Sequence, residues 1–180
     1  MTRRKMLMTA GATVLGLTAL AGFAGHNAIF ASDDDDDEGQ EALIKKLGDA
    51  KISLPQGLAA SEAAGQPISA KFEVEEGKLQ LSVYTAKDGK SFEAVVNHVT
   101  GKVLKIEPIT EGEDLAAANA QSAAMGKAKI SLKDSVDKAM AQSANARVIS
   151  AVPSLKDGHP IVSIVLLDGE RLQTVQQPLD

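Results

Sequence analysis

Ala50-Lys51-Ile52-Ser53-Leu54 recurs unchanged as Ala128-Lys129-Ile130-Ser131-Leu132. In both places the serine precedes a stretch that favours a helix, and a side chain able to complete a capping box follows three positions later, as Gln56 or as Asp134. Each serine is therefore predicted to cap a helix N-terminus. The duplication predicts that the chain carries one structural unit twice.

Similar elements lead into the two pentapeptides. A short helix is predicted over Glu41–Leu47, before Gly48, and an alanine-rich helix over about Asp114–Met125, before Gly126. The helix after the second pentapeptide has a clear apolar stripe, formed by Leu132, Val136, Ala139 and Met140. The first copy shows the same pattern more weakly.

Antiparallel strands follow each capped helix. In the first copy, apolar and polar residues alternate around Val74 and again over Leu79–Val83, and a third strand covers Phe92–Asn97. The turn signals Glu76-Gly77 and Asp88-Gly89 separate these strands. The first copy is thus a helix followed by a meander.

The second copy repeats this plan but ends earlier. Asp157-Gly158 and Asp168-Gly169 predict its turns, and Ile161–Leu167 and Leu172–Gln176 predict strands between and after them. The first copy continues into a fourth strand that ends near Glu107, and the second copy has no counterpart to it.

These patterns predict an α+β protein made of two tandem small modules, each a helix packed on a three- to four-stranded antiparallel sheet. Residues 40–109 form the first module and residues 110–180 the second. Aromatic residues make up only 3% of the chain, so the core must be aliphatic. Modules of about 70 residues are marginal alone, and two copies packed together would ease this.

Residues 1–31 are typical of an export signal. Arg3, Arg4 and Lys5 precede a long stretch without Asp, Glu, Lys or Arg, which ends in small residues at Ala31, or alternatively at Ala24. The two arginines fit the Sec route or the twin-arginine route. The stretch is also long enough to serve as a retained membrane anchor. We expect a periplasmic or secreted bacterial protein.

An acidic run, Asp33–Glu38, follows this signal. Residues 32–39 are predicted to form a disordered linker, because like charges repel one another. An EF-hand loop starting at Asp34 would need a carboxylate at its twelfth position, where the chain has Lys45. The alternative function that this run suggests is an acidic, cation-buffering accessory protein of the cell envelope.

Charge argues against nucleic-acid binding. Removing Arg3, Arg4 and Lys5 from the 19 basic residues leaves 16, against 24 acidic ones, so the mature chain has a net charge near −8. Nucleic-acid binding requires clustered Lys and Arg to displace counterions. The acidic balance therefore predicts that the chain has no nucleic-acid partner.

The sequence predicts no enzyme, no cofactor and no metal site. The chain has no cysteine, and its two histidines beyond the signal, His98 and His159, lie in or beside predicted turns without carboxylates at metal-ligand spacing. Gly89-Lys90-Ser91 resembles the end of a P-loop, but it lies in a predicted hairpin. We therefore predict no catalytic, cofactor-binding or metal-binding residues.

The order of elements resembles that of the PepSY domain. Ile52-Ser53-Leu54 and the stretch Asn97-His98-Val99-Thr100-Gly101-Lys102-Val103 carry the match, with Asn97 in place of the usual Asp. The second copy keeps Ile130-Ser131-Leu132 but lacks the Thr-Gly turn. The resemblance implies an exported, non-enzymatic module, since the family is associated with peptidase propeptides and proposed to restrain peptidases.

The second copy offers the expected binding surface. Its strand Ile161–Leu167 is apolar on both faces, so each face needs cover, either from the first module or from a partner or second copy. The missing fourth strand leaves an edge beside Leu172–Gln176 that suits strand addition. We expect a binding or regulatory protein that restrains a peptidase or senses an envelope ligand through this sheet.

Overall fold

Local chemistry sets the elements of this protein, seen here in a computed structural model that describes residues 34–143 and 145–180. The helices are α1 (Asp34–Leu47), α2 (Leu54–Ser61), α3 (Gly112–Met125) and α4 (Leu132–Gln142), with one 3₁₀ turn at Glu62–Ala64. The strands are β1 (Gln66–Glu75), β2 (Lys78–Lys87), β3 (Lys90–Val96), β4 (Val103–Ile109), β5 (Arg147–Lys156), β6 (His159–Asp168) and β7 (Arg171–Pro178).

Tight turns connect the hairpins. Asp88 and Gly89 both have positive φ, as do the residues of the turns Glu76-Gly77 and Asp157-Gly158, as two-residue hairpin loops of this type require. The last hairpin turns one residue later than predicted, at Gly169-Glu170, because Asp168 pairs with Arg171 as part of the ladder. The predicted meanders are therefore confirmed.

The prediction of two separate modules is wrong. All seven strands form a single antiparallel sheet in the order β4-β3-β2-β1-β5-β6-β7. The first strands of the two repeats, β1 and β5, pair antiparallel through Ala70 with Ala151 and Lys71 with Ser150. This pairing provides hydrogen-bond partners for the backbone groups that each repeat would otherwise expose at the edge of its own sheet. It also joins two hydrophobic cores that would each be marginal alone. The fold remains α+β, with two repeats that share one sheet.

The duplicated tripeptide Ile-Ser-Ala lies where the repeats meet. Ala70 and Ala151 are equivalent residues of the two copies and stand directly opposite each other, so an approximate two-fold axis passes between them. Ser69, Ala70 and Ala151 are all buried. Small residues in both copies fit this shared position.

Helices cover both faces of the sheet. Gly57 of α2 lies against Leu81, and Ser135 of α4 bonds to Gln177, which places these two helices on one face. α3 lies on the opposite face, where Gln121 accepts a hydrogen bond from Ser69 at 2.6 Å. The core is aliphatic, as predicted, and draws on both repeats; its fully buried side chains include Leu54, Leu58, Leu81, Val83, Val136, Ile164 and Leu166.

The two pentapeptides make the same backbone contacts. The N–H groups of Lys51 and Ile52 donate to the carbonyl of His98, and those of Lys129 and Ile130 donate to the carbonyl of Leu179. Each pentapeptide is thus tied to the chain just after the third strand of its own repeat. The predicted cap forms at Ser131, whose hydroxyl accepts from the Asp134 N–H at 3.0 Å. At Ser53 the Gln56 side chain provides the cap contact, because it accepts from the Ser53 N–H at 2.7 Å.

The N-terminal part of the fold differs from the prediction. α1 begins at Asp34, so the part of the expected disordered linker from Asp34 to Gly39 is helical, in agreement with the preference of helix N-termini for negative charge. The predicted signal peptide, residues 1–31, lies outside the described residues. Within the part that the structure describes, no helix has the length and apolar character needed to cross a bilayer.

Candidate binding edge

The outer edge of β7 presents backbone groups to solvent. Pro178 has no N–H and stands opposite Ile161, while the N–H of Leu179 donates inward to Pro160. Because backbone direction alternates along a strand, Leu172, Thr174 and Gln176 point their N–H and C=O groups away from β6. Among the described residues, none pairs with this edge.

The equivalent edge of the first repeat is occupied. There β3 pairs with β4 through Ser91 with Ile109, Glu93 with Glu107 and Val95 with Lys105. The counterparts of Ser91, Glu93 and Val95 in the second repeat are Leu172, Thr174 and Gln176. The free edge of β7 is therefore the position that a fourth strand fills in the first repeat, as the sequence predicted.

The middle of β7 lacks the side chains that commonly protect a sheet edge. Leu172–Gln177 contains no charged residue and no proline, and the strand has Arg171 and Pro178 only at its two ends. Natural edge strands commonly use charge or proline to prevent unwanted pairing. At the end of β7, His159 Nδ1 lies 3.0 Å from Asp180 Oδ2, and this hydrogen bond holds the pKa of Asp180 below its usual value.

Both faces of the apolar strand β6 are covered, as predicted. One face lies against α4, and the other lies against α3 instead of the first module, a partner or a second copy. Val162, Ile164 and Leu166 are buried on the face that carries α4. On the other face, Val165 and Leu167 pack into the core beneath α3 rather than beneath the first repeat. α3, the helix that begins the second repeat, therefore covers this face of β6.

A polar cluster lies on the α3 face of the first repeat, and the sequence reasoning missed it. The Ser82 hydroxyl donates to Glu73 Oε1 at 2.6 Å, and Lys71 Nζ lies 2.6 Å from Glu73 Oε2 and 5.8 Å from the Tyr84 ring centroid. Glu93 completes the cluster, and all five residues are buried or half-buried. The alternation of Lys71 and Glu73 with apolar residues indicated a solvent-exposed face.

Burial alters the acid–base chemistry of this cluster. It raises the pKa of the Glu93 carboxyl, the neighbouring Ser82 hydroxyl opposes the rise, and the nearby Glu73 charge adds to it. Burial also raises the pKa of the Tyr84 hydroxyl, helped by the charges of Glu93 and Glu73. The cluster can therefore hold a proton on Glu93 more tightly than an exposed glutamate does.

The other residues singled out in the sequence lie apart from this cluster. Gly89 turns the β2–β3 hairpin and Ser91 is buried within β3, which confirms the predicted hairpin. His98 uses its carbonyl to hold the first pentapeptide, and its Nδ1 is buried without a hydrogen-bond partner among the described residues. Within the described part of the chain, no three His, Asp or Glu side chains converge as metal ligands would.

Comparison with protein-family models, with curated proteins and with solved structures finds no match to this chain.

Proposed function

We propose that this chain is an exported, non-enzymatic binding protein that holds an extended segment of a partner polypeptide as an added strand along β7. The free backbone groups of Leu172, Thr174 and Gln176 carry this proposal, because the first repeat pairs β4 at the equivalent position. Strand addition draws its affinity from main-chain hydrogen bonds and its specificity from alternate side chains.

The first repeat also indicates what the partner segment looks like. β4 runs antiparallel to β3, so the partner strand runs antiparallel to β7. Since β7 is uncharged over Leu172–Gln177, the segment that suits it is apolar or neutral in sequence. An extended segment of a protein partner fits this edge better than a small ligand does.

A peptidase is the partner class that the PepSY-like sequence pattern favours. The proposed restraint is steric: a peptidase segment held along β7 cannot take the position that activity requires. No residue of this chain performs chemistry in such a mechanism.

The edge is tested with a synthetic strand. The probe is a fluorescein-labelled peptide with the sequence of residues 102–110 carrying Lys105→Thr and Glu107→Thr, which lacks the charges of β4. Its binding to the chain without residues 1–31 is measured by fluorescence anisotropy. Thr174→Pro removes one outward N–H and no bond to β6, and it should weaken binding at least about tenfold.

Thr174→Val is the matched control, because it keeps the N–H and should bind the peptide as the parent does. Equal binding by the proline variant and the parent, or no binding by the parent, would contradict strand addition at β7. The peptidase assignment is checked separately, by the rate at which exported peptidases cleave a fluorogenic peptide with and without the protein. Inhibition should disappear with Thr174→Pro, and an absence of inhibition would remove the peptidase from the proposal.

A further inference from the structure

The opposite edge of the sheet, β4, also has outward backbone groups. Ser91, Glu93 and Val95 bond inward to Ile109, Glu107 and Lys105, so the residues between these, Ile106 and Pro108, direct their backbone groups outward. Pro108 therefore occupies a position where its missing N–H leaves the sheet intact. Among residues 34–143 and 145–180, none pairs with this edge.

The side chains of β4 differ from those of an ordinary solvent-exposed edge. Leu104 is 65% exposed and Ile106 is 50% exposed, and Val99 nearby is 48% exposed. Between the two apolar residues of the strand stands Lys105, whose Nζ lies 2.6 Å from Glu107 Oε2 on the same side. The edge thus combines exposed apolar side chains with one positive and one negative charge.

This pattern is complementary to itself. When two antiparallel copies of β4 are aligned with Ile106 opposite Ile106, Lys105 of each copy faces Glu107 of the other. The same alignment places Leu104, the extra residue at the β-bulge between Val103 and Lys105, opposite Pro108, whose carbonyl can accept a hydrogen bond but which has no N–H to donate. Opposite charges that face each other across strands stabilise the pairing by about 0.2–1 kcal/mol each, and like charges destabilise it.

We infer that β4 is a dimerisation edge, at which β4 of a second copy of this chain pairs antiparallel with Ile106 on the two-fold axis. The Ile106 N–H of each copy donates to the Ile106 carbonyl of the other, and the sheet continues through both copies. The chain already uses the same arrangement internally, where Ala70 pairs with its equivalent Ala151 across the repeat axis. The dimer leaves β7 free in both copies, so it is compatible with a partner strand at that edge.

Charge exchange tests the register. The chain without residues 1–31 is examined by sedimentation velocity at about 5–100 μM, where the parent should dimerise. Lys105→Glu places two pairs of glutamates face to face, and Glu107→Lys places two pairs of lysines face to face. Each variant should dimerise with at least about a tenfold larger dissociation constant.

Mixing the two variants distinguishes cross-strand pairing from effects within one strand. In a mixed pair, the introduced glutamate of one variant faces the introduced lysine of the other, and the retained Glu107 of the first faces the retained Lys105 of the second. A heterodimer should therefore form although each variant alone does not dimerise well. The double variant Lys105→Glu with Glu107→Lys should also dimerise. A monomeric parent over the whole concentration range, unchanged dimerisation of either single variant, or a mixture that stays monomeric would overturn the proposal.

A crosslink tests the axis directly. The chain has no cysteine, so Ile106→Cys introduces the only thiol. Residues that form a hydrogen-bonded antiparallel pair have Cα atoms about 5.5 Å apart, within the range that a disulfide spans. Mild oxidation should give a covalent dimer within minutes, whereas Leu155→Cys, an exposed control that is 40% accessible, should react much more slowly.

Equal crosslinking of the two cysteine variants would overturn the assignment of Ile106 to the axis. Species that grow beyond the dimer with concentration would indicate pairing of β4 with β7 of another copy, because such head-to-tail contacts do not close, and would also overturn it.

Discussion

Arg147 connects the two repeats through backbone carbonyls. Its Nη1 donates to Leu47 at 2.9 Å, and its Nη2 donates to Ala50 at 2.9 Å and to Ile52 at 3.0 Å. The guanidinium also lies 5.6 Å from the Phe72 ring centroid. A half-buried cation at the C-terminal end of α1 interacts favourably with the helix dipole, although burial lowers the pKa of Arg147.

Replacing Arg147 should destabilise the whole chain. The equivalent residue of the first repeat is Gln66, so Arg147→Gln makes the two repeats alike while removing the three charge-assisted hydrogen bonds. We expect a loss of about 2–4 kcal/mol in the free energy of unfolding, measured by urea denaturation. Arg171→Gln, at an exposed position in β7, is the control. A loss no larger than that of the control would show that the carbonyl contacts contribute little.

Glu93 should make stability depend on pH in a defined direction. Its pKa in the folded state lies above the unfolded value because of burial, so the folded state binds this proton more tightly. The stability that Glu93 contributes is then greatest below its unfolded pKa and falls as pH rises through the folded one. Lys71, Glu73, Glu75 and Ser82 surround the group and set the size of the effect.

The substitution Glu93→Gln removes this titration while keeping the shape of the side chain. The gain in unfolding free energy of the variant over the parent should be small at acidic pH and should increase towards neutral pH. Urea unfolding from about pH 4 to pH 8 measures this difference. Glu170→Gln, in the exposed β6–β7 turn, is the control for removing one glutamate charge. If the parent instead gained unfolding free energy relative to Glu93→Gln as the pH rises, the predicted pH dependence would be contradicted.

At the level of elements, α2 approaches the sheet closely because Gly57 has no side chain. A Cβ atom at this position would lie 2.4 Å from Leu81 Cδ2, and Leu81 is fully buried. Alanine in a helix interior normally stabilises by about 0.5–1 kcal/mol relative to glycine. Here the clash should dominate, and Gly57→Ala should destabilise by about 1–3 kcal/mol in chemical denaturation.

Gly39 of α1 supplies the matched control for this substitution. A Cβ at Gly39 meets no atom within 4 Å, so Gly39→Ala should be neutral or slightly stabilising. The counterpart of Gly57 in the second repeat is Ser135, whose side chain is accommodated against Gln177. If Gly57→Ala raised the free energy of unfolding as much as Gly39→Ala, the predicted clash with Leu81 would be contradicted, because the Leu81 side chain would then shift without loss of stability.

The sequence predicted elements better than their assembly. Hairpins and helix caps follow from local backbone chemistry, since Asp88-Gly89 can adopt positive φ and Ser131 can accept from Asp134. The pairing of β1 with β5 involves two residue pairs, Ala70 with Ala151 and Lys71 with Ser150, and no periodic pattern encodes it. The free edge of β7 was predicted because the repeat exposes a missing strand. The Glu93 cluster was not, because alternating polar residues also describe a strand face open to solvent.

For the molecule as a whole, a shared sheet implies that the two repeats unfold together. Ile68, Ala70, Ile149 and Ala151 are buried around the contact between β1 and β5, and the core continues through it without interruption. α2 and α4 also contact each other on one face of the sheet. Neither repeat keeps its core covered when the other is unfolded, so a partly folded chain would expose apolar surface on both sides of the axis.

Ile164→Ala tests this cooperativity from the second repeat. Ile164 is fully buried in β6, and its truncation should cost about 2–5 kcal/mol. Tyr84, the only tyrosine in a chain without tryptophan, reports the first repeat by its fluorescence, while circular dichroism reports all strands and helices. We expect both signals to shift to the same lower urea midpoint, with superimposable transitions. Gln173→Ala, at an exposed position of β7, should shift neither. If the tyrosine transition kept its parental midpoint while circular dichroism showed an earlier phase, the repeats would be independent folding units that share only a strand contact.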